Sequence, residues 1–518
     1  MKSTFRNLCA FFIIHSSFFI SGATGATSSW VFPGPDGRLV YETTPAGDRI
    51  MDFSHAGYKG GGVALPVVPV KLTVQPLADK NADATAHIQA AIDKVSARPP
   101  DANGFRGAVL LAPGDYTCTE PLRVNASGVV LRGSGATGPN ASTIKMAGPK
   151  HNALYVGGDR YTIPGNSTDE TAITDRYVPA GSKTFTVANA KNYSVGDTIV
   201  IRRTVTAEWI ELLEMHTLFR NGKPQIWMKP GSKFSALRSI AAIDKNTITL
   251  DIPLPDYIDV KNLPANGATI AKIGQPVAVS LCGIENLRIQ SPEQPVNHSK
   301  KLYSAIRMKA EDSWMRDVRI EETMDSVSVN GRRITLERVD VIRKARHEGS
   351  SKPAEFAPNG GQILLSRCSV EGDNVWFVAT GSRHVGPIVI LECTFNGKSR
   401  LEGHMGWTTG MLVDNCKLPD GGIDFKNRGT AGSGHGWGLG WSVAWNCVAK
   451  THTIQQPASA FNWAIGCTWL DKDAARREIK NPGTFDSNDK PVTPRSLYLT
   501  QLRERLGPEA LRAIGYSE

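Results

Sequence analysis

The chain has 518 residues, 41% of them hydrophobic and 21% charged, with a formal net charge of +10 at pH 7. Such a composition belongs to a folded protein and excludes wholesale disorder. Lys and Arg are spread along the chain and no nucleic-acid motif is present, so the charge points away from nucleic acid and suits an anionic ligand such as a uronic-acid polysaccharide.

Residues 1–26 read as a secretory signal. Lys2 and Arg6 precede a mostly apolar run from Leu8 to Ile20, and small residues follow, with Ala23 or Ala26 as cleavage points. The run is too short and too interrupted to span a bilayer. Cys9 lies inside it rather than after it, which argues against a lipid anchor. No later stretch is long and apolar enough to cross a membrane. The mature chain is therefore expected in the periplasm or the medium, with no membrane partner.

Residues 27–173 begin with glycine- and proline-rich turns (WVFPGPDGRLVY). In NADATAHIQAAIDKV the spacing predicts a helix, with Asp83 as its cap and Ile88, Ala91, Ile92 and Val95 on one apolar face. GAVLLAPGDYTC and VNASGVVLRGSG then read as strands separated by turns. This helix and these strands resemble the opening of the pectate-lyase-like superfamily. The resemblance implies an all-β protein, a single-stranded right-handed parallel β-helix whose N-terminal capping helix plugs the first coil. A plug is physically needed, because a first coil would otherwise expose its core and its unpaired strand edges. The resemblance says little about substrate.

Residues 174–270 break that rhythm. FTVANAKNYSVGDTIVIRRT and LRSIAAIDKNTITLDIPL alternate like strands, and predict a β-rich insertion packed beside the coils. Trp209 and Trp227 lie between them and are candidates for stacking on sugar rings along a groove wall.

From 271 to 480 one strand pattern recurs every 20 to 31 residues: GIENL, SWMRDV, ITLERV, LLSRC, VILEC, LVDNC, VAWNC and WAIGC. Recurrence of this kind signals a solenoid. Period-two alternation puts Leu287, Val318, Val339, Cys368, Cys393, Cys416, Cys447 and Cys467 on one face, as an inward ladder of small apolar residues and free, buried thiols. The absence of a CxxC pair argues against zinc. Residues 481–518 have helical apolar spacing at Leu497, Leu502 and Leu506, and are expected to close the C-terminal end of the core.

Counting back from the ladder cysteines places His404 and His435 at matching positions, each after a glycine and each followed closely by Trp407 or Trp437. Two imidazoles in register on adjacent coils would lie about 4.8 Å apart. His384 and Arg383 precede them by one coil, and Lys426, Asn427 and Arg428 precede His435 on a turn. Close basic neighbours keep an imidazole neutral and usable as a base. The expected catalytic set is His404, His435, Arg428, His384 and Lys426. The expected substrate-binding set is Arg383, Asn427, Trp407, Trp437 and Glu402, with Glu402 placed to orient His404 or hold a metal. Arg346 and His347 on a polar loop are weaker candidates.

These residues point to a polysaccharide lyase acting on an acidic polymer by β-elimination. Arg428, Arg383 or Asn427 would neutralise the uronate, one histidine would take the C5 proton, and the other histidine or Lys426 would protonate O4. The cofactor is left open: related lyases use Ca2+, but Asp373, Asp414, Asp420 and Asp424 form no compact cluster, so Ca2+ is not favoured and no metal site is expected. Two alternatives stand beside this reading. A glycoside hydrolase needs paired carboxyls, and no Asp/Glu pair falls at a matched coil position near the histidines, leaving Glu321, Glu322 and Asp325 as the best set. The other is a non-catalytic glycan-binding solenoid.

Overall fold

The computed structural model describes residues 25–158, 170–264, 267–274, 278–295, 301–345, 352–475 and 477–517. Lys2, Arg6, Cys9 and Ala23 of the expected leader, and the loop residues Arg346 and His347, lie outside them.

The protein is mostly β, and most of its strands pair in parallel with a strand one coil away rather than with a sequence neighbour. The strands fall into three files. Down the first, Leu72, Val109, Leu131, Ile284, Met315, Leu336, Leu365, Ile390, Val413, Ala444, Ala464 and Phe485 are each in register with the next. The stack passes directly from Leu131 to Ile284, so everything between those coils is looped out without disturbing the ladder.

One residue makes the bend out of the first file. Asn286, Asp317, Arg338, Arg367, Glu392, Asn415 and Asn446 all have φ between 48° and 55°, and Gly466 has 66°. This left-handed conformation is costly for L-residues and least so for Gly, Asn and Asp. It turns the chain so that the next residue points inward. That residue is one of the eight ladder positions, and all eight are at most 1% exposed. Leu287, Val318 and Val339 are register partners. The five cysteines that continue the ladder each donate a thiol proton to a carbonyl of the preceding coil, at 3.2–3.7 Å. All seven cysteines among the described residues are unpaired and buried.

The first file is apolar on both faces. Leu365, Ile390 and Val413 face the interior, while Leu364, Val389, Leu412 and Val443 face outward and are buried as well. A parallel sheet covered on both sides reads as an unbroken apolar run, as LLSRC and VILEC do. Its outer cover is Val31, Phe53 and Ala56 from the N-terminal segment, with Leu497, Tyr498, Leu502 and Leu511 from the helices Leu497–Leu506 and Pro508–Ala513. Tyr498 donates its hydroxyl to the Ala56 carbonyl at 2.9 Å, and Ser496 and the Tyr498 amide donate to Asp414 at 2.7 and 2.8 Å. These helices thus lie along the side of the stack, not over its end as expected. The outer face of the first file offers them an apolar surface that spans several coils.

The helix Thr85–Ser96 buries Ile88, Ala91, Ile92 and Val95 against the same core as the first coils. Asp83 lies just outside it and accepts from the Thr85 amide at 2.9 Å, with Ala84 at the cap position. Between Thr171 and Lys272 a six-stranded antiparallel sheet surrounds its own core of Phe185, Ile199, Ile240, Ile248 and Ile270.

The bend geometry yields a stability test. At Asp317, Val and Gly substitutions lose the same ion pair with Arg338, but only Val resists positive φ. Asp317→Val should therefore be less stable than Asp317→Gly by about 1–2 kcal/mol in denaturant unfolding. Equal stability would show that this corner relaxes to an ordinary conformation.

Candidate active site: a histidine pair above buried carboxylates

The third file runs through Trp376–Ala379, Arg400–Glu402 and the ends of Lys417–Phe425 and Val448–Ile454, with Ala379, Glu402, Asp424 and Thr453 in successive register. Leu401 and Ile423 belong to the core, so alternation turns Glu402 and Asp424 outward. Both carboxylates are nonetheless buried, 0% and 1% exposed. A layer of basic and aromatic side chains roofs them over.

The paired register of Glu402 and Asp424 corrects the sequence expectation that no acidic pair falls at a matched position here. Counting back from the cysteines misaligns them because nine more residues separate Asp424 from His435 than separate Glu402 from His404. The fallback carboxylates play structural parts instead. Glu321 is paired with Arg288 and Arg319, Glu322 accepts from the Lys344 amide at 2.8 Å, and Asp325 accepts from the Ala354 amide at 2.8 Å.

His404 follows Glu402 directly out of the third file. Its Nδ1 lies 2.6 Å from the Glu402 carboxylate, which fixes the ring when Nδ1 carries the proton. Arg428 lies over the same ring, donating to the His404 carbonyl at 3.0 Å and reaching Glu402 at 3.2 Å. His435 is on the next coil, and the two imidazole centroids are 4.7 Å apart. Burial first, then the charges of Arg428 and His404, push the His435 imidazole down to about 4. It is therefore neutral at physiological pH. Its Nδ1 is buried and unpartnered.

The loop that carries His435 is clamped from outside. Arg220 of the antiparallel sheet region donates to the Gly432 carbonyl at 2.6 Å, and Trp227 donates to the Trp437 carbonyl at 3.2 Å. Gly432 has φ +58°, and a Cβ there would come 2.1 Å from His435 Nε2. The ring closes down onto this glycine, which no larger residue could replace without moving it.

Around the pair, Lys426 donates to Asp424 at 2.6 Å and Arg400 approaches the same carboxylate at 3.7 Å. Both cations remain about a third exposed. Four participants were not singled out for this site from sequence: Lys352, Trp376, Arg400 and Asp424. Trp376 is partly exposed, with its ring 5.4 Å from His404 and with Arg428 and Lys352 over it at 5.0 and 4.8 Å. Burial, then Arg400, Lys426 and Arg428, lower the Lys352 ammonium below the usual lysine range. Lys352 belongs to the segment stacked two coils before Arg400, a distance in sequence that no local motif bridges. Asp424 had been read only as one of several scattered carboxylates.

Other expected residues are placed elsewhere. Trp407 and Trp437 are 0% and 3% exposed, and Trp209 and Trp227 are 1% and 7%. None of the four can offer a ring face to a sugar. Trp209, Trp227 and Trp407 pack ring against ring, Trp407 donates to Asp256, and Trp437 donates to the Leu213 carbonyl. Asn427 forms a turn, its Oδ1 accepting from the Gly429 amide at 2.8 Å. His384 and Arg383 do not join the histidine pair and line a separate cleft. Among the described residues, no three His, Cys, Asp or Glu side chains converge as a metal-binding group.

No family model matches the chain, and no curated protein matches it. It is similar to the tailspike protein gp49 from Pseudomonas phage LKA1, at 14% identity and TM-score 0.36 over 74% of this chain and 55% of that one. A tailspike of E. coli bacteriophage HK620 in complex with pentasaccharide matches at 11% and 0.36, over 89% of this chain and 63% of that one. The A-module of Azotobacter vinelandii mannuronan C-5 epimerase AlgE4 matches at 11% and 0.26, over 81% and 95%. The chain thus spans little more than half the length of the first of these. Similarity this distant carries no argument about activity.

The electrostatics can be checked directly. In spectra of selectively labelled histidine, His435 should titrate near pH 4, and Arg428→Gln should raise that value by removing a neighbouring positive charge. A His435 titration near 6.5 in the unsubstituted protein would show that the ring is neither buried nor close to Arg428.

Proposed function

We propose that this protein is an exported polysaccharide lyase, wound as a right-handed parallel β-helix, that cleaves a uronic-acid-containing polysaccharide by β-elimination. One observation carries the reading: two imidazoles 4.7 Å apart beneath a rim of partly exposed cations, with both nearby carboxylates buried under that rim.

The chemistry follows from the charges. A uronate's C5 proton becomes removable only when its carboxylate is neutralised, and Arg428 and Lys426 present cations for this. Neutral His435 accepts the proton. The C5–H electrons form the C4–C5 double bond, the C4–O4 bond breaks, and O4 takes a proton from His404 or Lys352. C5–H and O4 stand on adjacent carbons, so a base and an acid a few ångströms apart can serve both. Glu402 positions His404 from behind and balances the positive charge of the rim.

The register pair Glu402 and Asp424 favours a second reading, a hydrolase with two carboxyls on neighbouring coils. A hydrolase acid must reach the glycosidic oxygen. Here Asp424 is held by Lys426 and Glu402 by His404 and Arg428, with at most 1% of either carboxylate side chain exposed.

Incubation with a panel of acidic polysaccharides tests the proposal through the ultraviolet absorbance of the unsaturated uronate product. New reducing ends without that absorbance would establish hydrolysis. Deuterium uptake at C5 from heavy water without chain cleavage would establish epimerisation. Binding with none of these would leave a glycan-binding solenoid.

His404→Ala and His435→Ala should each lower turnover at least about 100-fold, and wild-type rates in a folded double variant would refute the assignment. Because the base form of His435 dominates above its own titration, kcat/KM should hold through neutral pH and fall as pH drops toward about 4. Gly432→Ala should resemble His435→Ala, whereas Gly429→Ala, which carries a similar positive φ but whose Cβ would meet no atom, should stay active.

A further inference from the structure

A second cleft lies apart from the histidine pair. It lies between the coils and the antiparallel sheet, encloses about 500 Å³, and is lined by Lys233, Arg238, Arg332, Arg383 and His384, with no acidic side chain on its walls. The nearby carboxylates act from behind: Glu311 pairs with Arg332 and Arg333, and Asp251 attracts Arg238.

Arg238 is the unusual member. It is 3% exposed, and its terminal nitrogens donate to the carbonyls of Leu237, Pro253 and Gly386. Among the described residues no carboxylate pairs with it, and its Nε is buried without a partner. Burial, offset by Asp251 and reinforced by Arg332, lowers this guanidinium to about 10. Glu311 offsets Arg332, but Arg238 is sealed among carbonyls, and a buried charge held without an ionic partner is costly unless an anion joins it. Polar groups for hydroxyls stand beside them: Asn359 accepts from the Gly381 amide at 2.7 Å through its oxygen, which leaves its NH2 to donate, and Ser382 lines the same wall.

The cleft and the histidine pair stand on successive coils. The Arg383 amide donates to the Gly406 carbonyl at 2.8 Å, and the Gly406 amide to the His435 carbonyl at 3.4 Å. Arg383 therefore lies two coil steps from His435, roughly 10 Å at the spacing of adjacent strands. We propose that this cleft is an anion-binding subsite that holds the carboxylate of a sugar displaced along the polymer from the bond being cleaved. The assignment deepens the lyase reading and rests on it for the identity of the polymer. It also moves His384 from chemistry to grip and keeps Arg383 as a substrate-binding residue.

The test is calorimetric binding to the full chain carrying His404→Ala and His435→Ala, with galacturonate and mannuronate hexamers as probes. Adding Lys233→Gln and Arg383→Gln, both at exposed positions, should raise the Kd of whichever hexamer binds at least tenfold, and Arg383→Lys in place of Arg383→Gln should recover part of the loss. A neutral hexose hexamer should bind no tighter to the unsubstituted cleft than to the altered one. A Kd changed less than twofold, or no binding of either uronate hexamer, would overturn the subsite. Equal competition by a sulfated hexamer would overturn its assignment to carboxylate. The two readings fail separately: unsaturated product without a Kd difference removes only the subsite, and a Kd difference without unsaturated product removes only the elimination chemistry.

Discussion

Each of the eight coils from Leu287 to Cys467 depends on a single left-handed residue at the corner between its first two strands. That residue swings the following side chain inward, and the inward chains then stack at strand spacing from Leu287 to Cys467. The conformation is unfavourable for most residues taken alone. It persists because each corner is held by parallel hydrogen bonds above and below and by an apolar residue sealed behind it. Parallel register is thereby fixed coil by coil, and it is register that determines which outward-facing side chains become neighbours.

The histidine site is a product of that register. Glu402 and Asp424 are brought side by side because Leu401 and Ile423 are. Two buried carboxylates side by side would repel one another, and the roof of His404, Arg428, Lys426 and Arg400 compensates them. The same roof supplies the cations and imidazoles that face solvent. Structural compensation and proposed chemistry therefore use the same atoms, which explains how a solenoid without an interior pocket can concentrate so much positive charge on one turn.

Much of this arrangement could be read from the chain because a repeat carries its own ruler. Counting back from Cys416 and Cys447 aligned His404 with His435, since no insertion separates either histidine from its cysteine. The ruler failed for Asp424, which lies on the far side of the nine extra residues that precede His435. It failed for Trp407 and Trp437 for a different reason. Those two residues pack against Trp209, Leu213, Met215 and Trp227 of the insertion, and nothing local to a GHxxW or GHGW pattern reveals what a distant insertion will bury. Lys352 and Trp376 were missed because their link to Arg428 runs across coils. The C-terminal helices bury Leu497 and Leu502 as expected but leave Leu506 exposed, and they lie elsewhere than expected, because apolar spacing names a buried face without naming its partner.

The lateral cover joins residues from opposite ends of the chain. Ala26 and Thr27 pair in parallel with Val492 and Thr493, and Phe53 donates its amide to Gln501 at 2.9 Å. During synthesis the coils could wind as they emerge, yet the outer face of their first file would stay bare until the last helices appeared. For most of translation a nascent chain would present a long greasy flank, a ready surface for misassembly between copies. Holding such an intermediate apart until its final segment arrives is work suited to a chaperone.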